Sequence, residues 1–346
     1  MKICSRSTET GLLYFYIHFV TETVCFYVLN MLYKMPISSW IIAFAYDALA
    51  FVPQSLIGYY RDTHKNINFS LIGSFLLTIA VLLTGLLHNE PAAILLFLCF
   101  GNALIHIEGA EVTIRSAKGK MTPSAVFVGG GSFGVISGKL CSLYGVPYPV
   151  ILLLIISTIP FILLSNEIKD EEYSCSNFKY AASVSKVKVI IYSALIVIIR
   201  GYMGYGIPTS WKKSVLQNIV FFCTMGLGKC LGGVLIDKIG IRKTALISIL
   251  GSIPFLLFGD RNMFLSIIGV AFFSMTMAIT LALLVSVLPR KVGLAFGVTT
   301  IGLFLGSVPV FFIKIKDFTY SAIMIISLSL LCLYMILQVV KNDNSN

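Results

Sequence analysis

Charge is what this sequence has least of. Only 12% of its 346 residues are Asp, Glu, Lys or Arg, about half the share of a soluble globular domain. With 57% apolar residues, the chain carries more oily surface than a water-soluble core of its size can hide. A soluble enzyme or binding module is excluded, and the chain belongs in a bilayer. Metal-ligand spacing is also missing. The eight cysteines form no CxxC and no Cys/His array, so no metal site is expected. Cys25, Cys99, Cys141, Cys223, Cys230 and Cys332 lie in apolar runs and read as small core residues. HExxH and GxxxxGK[ST] are both absent, which leaves no zinc protease and no phosphate loop. "GGGSFG" (129–134) satisfies GxGxxG, but it sits inside an apolar run with no strand before it. Its reading is close helix packing. No cofactor and no ATP-binding engine is expected.

What is present is a series of long apolar runs. A membrane helix needs about 20 such residues. Twelve candidates fit: 11–33, 37–60, 67–87, 92–112, 122–142, 147–165, 187–207, 214–236, 243–259, 263–287, 292–312 and 320–340. The runs are continuous, without the alternation of a membrane barrel, and lipid leaves a backbone no partner except its own helix. Lys2 and Arg6 precede the first run, which is too long for a leader and has no small-residue cleavage site. One polar stretch, 166–186, divides the chain. The expected architecture is all-α and polytopic: a six-helix bundle over 1–165, a linker over 166–186 and a second six-helix bundle over 187–346. With both termini cytoplasmic, 17 Lys and Arg fall on the cytoplasmic side and 6 on the other. That bias sets the orientation. It also accounts for the net charge of +11 without nucleic acid. A monomer in the plasma membrane is the expectation.

The two halves echo each other. Gly58-x-x-x-Asp62 and Gly233-x-x-x-Asp237 each close the second span of their half and are each followed by cations. A glycine one turn before an acid permits close helix approach. The acid at the helix end can then reach a neighbouring helix N-terminus or an arginine. Such a contact can form in one conformation and break in another, as a latch. "GVLIDKIGIRK" (233–243), with Gly233, Asp237, Gly240, Arg242 and Lys243, resembles the signature loop of the major facilitator superfamily between spans eight and nine. "GYYRDTHK" (58–65) is similar to the equivalent first-half loop, although it lacks the second glycine and Arg61 precedes its acid. "HFVTETVCFYVL" (18–29), "GNALIHIEGAE" (101–111) and "MTMAITLALLVSVLPRKVGLAFGVTTIGLFLG" (275–306) resemble a bacterial subgroup of that superfamily, with Glu108 in place of an expected glycine. The resemblance implies the major facilitator fold and a cavity lined by spans 1, 4, 7 and 10.

Ionisable residues inside the spans carry the functional reading, because a charge at mid-membrane costs about 2.5–3.5 kcal/mol and marks a cavity or an interior partner. Glu22 lies at the middle of the first span, with His18 one turn earlier on the same face. Burial and a protonated histidine pull a carboxyl's titration in opposite directions. Such a carboxyl, reached from alternating sides, can couple protons to transport. Asp47 lies near the middle of the second span, and Gln54, seven residues on, falls on its face as a second candidate lining group. Pro53 predicts a kink there. His106 is a candidate relay, while Glu111 and Arg115 form an i,i+4 pair that reads as structural. Arg200 either binds an anionic substrate group or pairs with a buried acid such as Glu22 or Asp47. Thr276 and Thr280 join the cavity through the resemblance.

These features suit a secondary transporter of a small molecule by alternating access. Protons would be the co-ion, and efflux by antiport is preferred over uptake. An acid, an arginine and histidines suit zwitterions, weak acids or amphiphiles. The alternative is a membrane receptor or regulator that kept the fold and lost transport, for which the altered loop at 58–65 and Glu108 are the hints. An intramembrane enzyme would need a catalytic constellation that the sequence lacks.

Overall fold

Proline and small polar residues set where the helices begin. The computed structural model describes residues 2–86, 90–169, 184–313 and 317–340. The helices of the first half are α1 (Lys2–Leu32), α2 (Ser39–Phe51), α3 (Gln54–Thr63), α4 (Phe69–Leu86), α5 (Pro91–Ser116), α6 (Thr122–Leu143), α7 (Tyr148–Ile156) and α8 (Ile159–Lys169). The rest are α9 (Lys186–Gly206), α10 (Val215–Leu257), α11 (Met263–Val287), α12 (Val292–Phe312) and α13 (Phe318–Val339). Pro91 and Pro123 stand in the first turns of α5 and α6, where a missing N–H costs nothing. Ser214 and Gln217 cap α10 reciprocally: Gln217 N donates to Ser214 Oγ at 3.2 Å and Ser214 N to Gln217 Oε1 at 2.9 Å. Asn262 and Asp317 accept from the first turns of α11 and α13.

Eleven helical segments among the described residues are long and apolar enough to cross a membrane. α2 and α3 form one of them, Ser39–Thr63, broken at Val52 and Pro53, as the proline predicts. α10 covers the expected eighth and ninth spans in 43 residues, about 65 Å of helix against a hydrocarbon core of about 30 Å. Its path is interrupted at Gly240, with φ 81° and ψ 166°, a backbone region open to glycine alone. The linker expected over 166–186 lies mostly outside the described residues.

Close approach is built from small residues. Gly130, Gly134 and Gly138 on α6 face the carbonyls of Phe15, Phe19 and Thr23 on α1 so closely that a methyl group at any of them would collide with that backbone. The four-residue step is shared by both helices, which accounts for the α1–α6 packing and for the "GGGSFG" motif. The contacts are reciprocal across the chain: α1 packs on α6 and α9 on α12, while α6 packs on α10 and α12 on α3. The most enclosed segments are α1, α5 and α11.

Gly134→Val is expected to destabilise the protein by about 1–3 kcal/mol through overpacking. Gly204→Ala, whose methyl would meet Phe273 at an ordinary 3.5 Å, is expected to stay within about 1 kcal/mol of wild type. Unfolding of both variants in detergent measures the difference.

Candidate functional site

α1 and α5 lie side by side, and their facing polar residues meet in one buried cluster. Glu22 is 8% exposed, His18 5% and His106 7%. Glu22 Oε1 accepts from Asn102 Nδ2 at 2.9 Å. His106 Nε2 stands 3.4 Å and His18 Nε2 3.7 Å from that same oxygen. The two imidazoles meet edge to face, 4.3 Å between centroids. Gly131 leaves the room that the His18 ring occupies.

The other ring nitrogens fix the tautomers. His18 Nδ1 lies 2.8 Å from the Phe127 carbonyl and His106 Nδ1 2.9 Å from that of Asn102. A carbonyl only accepts, so each Nδ1 carries hydrogen and each neutral ring turns its Nε2 lone pair toward Glu22. Two lone pairs against a carboxylate repel one another. The cluster is satisfied when it holds one positive charge, either a proton on an imidazole or a bound cation. The three donor atoms lie within 4.8 Å of one another, which places a metal-ligating set where the sequence spacing predicted none.

At one end of the helices the two acids of the repeated Gly-Asp pair cross between halves. Asp62 accepts from Gly293 N and Leu294 N, both at 2.9 Å, at the start of α12. Asp237 accepts from Met121 N at 2.7 Å, Thr122 N at 2.9 Å and Thr122 Oγ1 at 2.5 Å, at the start of α6. Each carboxylate faces the positive end of a helix. The glycines supply the approach: a methyl group on Gly58 would strike the Gly293 backbone, and one on Gly233 the Ala125 side chain.

Solved structures share this arrangement of helices. The E. coli fucose:proton symporter, as a single-residue variant, superposes with a TM-score of 0.65 at 13% identity, over 96% of this chain and 98% of that one. A bacterial homologue of the iron transporter ferroportin, in an outward-facing state, gives 0.59 at 15% identity, over 96% and 98%. The fucose symporter in its outward conformation gives 0.64 at 11% identity, over 94% and 97%. The chain has the major facilitator fold. No family model and no curated protein matches the sequence.

Within the major facilitator fold, the remaining candidates separate. Arg200 is 8% exposed and forms no ion pair with Glu22 or Asp47 among the described residues. Its guanidinium carbon sits 3.3 Å from the centroid of the Phe273 ring and Nη2 donates to the Phe273 carbonyl, while Nε and Nη1 have no hydrogen-bond partner. The alternative of a buried acid partner is thereby corrected. Thr276 donates to the same carbonyl at 2.7 Å and Thr280 to that of Met277 at 3.1 Å, so both hydroxyls are turned onto their own helix. Asp47 is half-buried, and the hydroxyl of Ser307 on α12, its neighbour, donates to the Phe304 carbonyl at 2.9 Å. Gln54 is fully buried, donates to Ala50 O at 2.9 Å and packs at the α3–α12 contact against Gly297. Arg242 is half-buried and Lys243 exposed, and the Asp237 carboxylate contacts the start of α6 at this loop.

One residue went unrecognised in the sequence, and one network was recognised only in its Glu111–Arg115 pair. Asn102 binds Glu22 and also donates to Tyr46 OH at 3.2 Å. Its signal was its place one turn before His106. The network lies buried behind Asp62. Arg61, 1% exposed, reaches Glu111 at 2.8 Å and Glu108 at 3.5 Å and donates to the carbonyls of His64 and Lys65. Arg115 bridges Glu111 at 2.9 Å and Asp62 at 3.6 Å, and Glu108 also accepts from Ser70 N. Arg61 preceding its acid and Glu108 replacing a glycine are thus two halves of one contact.

Removing one partner of a buried pair strands the other. Arg61→Met is expected to cost about 3–5 kcal/mol, while Lys65→Met, at an exposed position, is expected to be near neutral. Thermal unfolding in detergent compares them.

Proposed function

We infer that the protein is a secondary transporter of a small solute, working by alternating access. In this reading it has twelve membrane helices in two bundles of six, 1–165 and 187–346, with α10 counted as two helices meeting at Gly240. The linker 166–186 and both termini lie on the cytoplasmic side of the plasma membrane, following the positive-charge bias, and the protein works as a monomer.

One observation carries the reading: the reciprocal seating of Asp62 on α12 and Asp237 on α6. Two equivalent contacts at one end join the two halves. Both use backbone N–H groups, whose hydrogen bonds water can replace. The bundles are therefore latched at the cytoplasmic end and able to part there. One turn beyond the residues of α12 that Asp62 holds stands Phe296, whose ring lies 6.4 Å from that of His106 and 6.3 Å from that of Phe127. Parting the latch withdraws Phe296 and opens the Glu22 cluster toward the cytoplasm.

The cluster has room for one added positive charge. A proton and the positive group of a solute exclude each other there, which is antiport, and efflux driven by inward proton flow is the preferred direction. Arg200, with two unpartnered donors, supplies a place for an anionic group of a solute. The reading of a transport-deficient receptor rested on the altered loop at 58–65 and on Glu108. The Arg61–Glu108 contact accounts for both departures within a working latch.

A thermal-shift screen at two pH values selects a solute, and its flux is then followed in proteoliposomes. Glu22→Gln is expected to abolish solute movement driven by a proton gradient while solute–solute exchange persists. Undiminished gradient-driven flux in that variant contradicts the coupling role.

A further inference from the structure

The Glu22 cluster has the donor set and the spacing of a transition-metal site. Neutral imidazole nitrogen and carboxylate oxygen bind first-row divalent ions at about 2.0–2.2 Å, so two ligands of a tetrahedral ion stand about 3.4 Å apart. His106 Nε2 and His18 Nε2 lie 3.4 and 3.7 Å from Glu22 Oε1. Both lone pairs already converge on that oxygen. The orienting contacts are also in place. Each imidazole gives its Nδ1 hydrogen to a backbone carbonyl, the arrangement that holds histidine ligands of metals in register and raises their basicity. Asn102 Nδ2 fixes the carboxylate. The ligands come from two helices, and three protein ligands leave a fourth position of a tetrahedral ion to water or solute, as in sites where an ion exchanges instead of remaining sealed. Of the cations on neighbouring elements, Lys229 on α10 lies within electrostatic range of Glu22 and His106, its ammonium engaged by Ser132 Oγ at 2.9 Å, and Arg200 lies against Phe273.

We propose that His18, Glu22 and His106 form a binding site for a divalent first-row transition-metal cation, and that this cation is cargo. Hard ions that prefer all-oxygen shells, Ca²⁺ and Mg²⁺, are excluded by two nitrogen donors out of three. Assignment as cargo rests on the transporter reading, whereas the donor set stands without it.

Co²⁺ is titrated into the purified full-length protein in detergent, without an affinity tag and in a His64→Ala background that removes one exposed histidine. Visible absorbance reads coordination, and Zn²⁺ competition reads affinity. One Co²⁺ per chain is expected, displaced by Zn²⁺ and not by Mg²⁺. Glu22→Gln and His106→Asn are each expected to weaken binding at least about tenfold. If one variant fails to fold, the other still decides. Zn²⁺ flux into proteoliposomes, followed by a trapped fluorescent chelator, is expected in the parent and lost in both variants. Absence of Co²⁺ and Zn²⁺ binding, or binding unchanged in both variants, overturns the site. Movement of an organic solute in those vesicles would then leave the transporter reading intact. Binding without Zn²⁺ flux, in vesicles that move an organic solute, overturns the assignment as cargo.

Discussion

A carboxylate at the end of one helix, seated on the free N–H groups at the start of a helix from the other half, is the contact on which this structure turns. It occurs twice, at Asp62 and at Asp237, with the donors and the halves exchanged. Helix N-termini present unsatisfied amides and a partial positive charge, so backbone N–H groups solvate each acid, with Arg115 adding an ion pair at Asp62. The surrounding residues are arranged around that requirement. Gly58 and Gly233 vacate the space, and the Arg61–Glu108–Glu111–Arg115 network steadies the end of α3 that carries Asp62.

The latch and the buried cluster share an element. α12 begins at the Asp62 contact, and its second turn opens with Phe296 beside His106 and Phe127. In the proposed cycle, separating the start of α12 from α3 uncovers the histidines. At the cluster, electrostatics demands one positive charge among two lone pairs and a carboxylate. In the proposed reading, a group that holds one cation and is uncovered from one end at a time acts as an exchanger.

Much of this was legible in the sequence, where the physics is local. The spans follow from run length, and the Gly-Asp pairs from position and repetition. Glu22 and His18 stand out because a mid-membrane acid one turn from a histidine is costly unless used. What was illegible depends on tertiary distance. His106 became part of the Glu22 cluster only once α5 lay against α1, and the metal-like donor set arose from residues with no common motif. Arg61 looked like a defect in a loop because its partners, Glu108 and Glu111, sit on α5. Gln54 is fully buried where α12 closes on α3, a tertiary contact that periodicity alone does not show. Arg200 found an aromatic ring and a carbonyl, a partner that no charge count foretells.

The central claim is that the two aspartate contacts hold the halves together at one end. It is tested most directly by the distance between spin labels on Lys65 and Arg290, exposed positions flanking the Asp62 contact. The account predicts a short, narrow distribution for the parent and a new, longer population when Asp62→Asn and Asp237→Asn are combined. An unchanged distribution in the doubly substituted protein would contradict it.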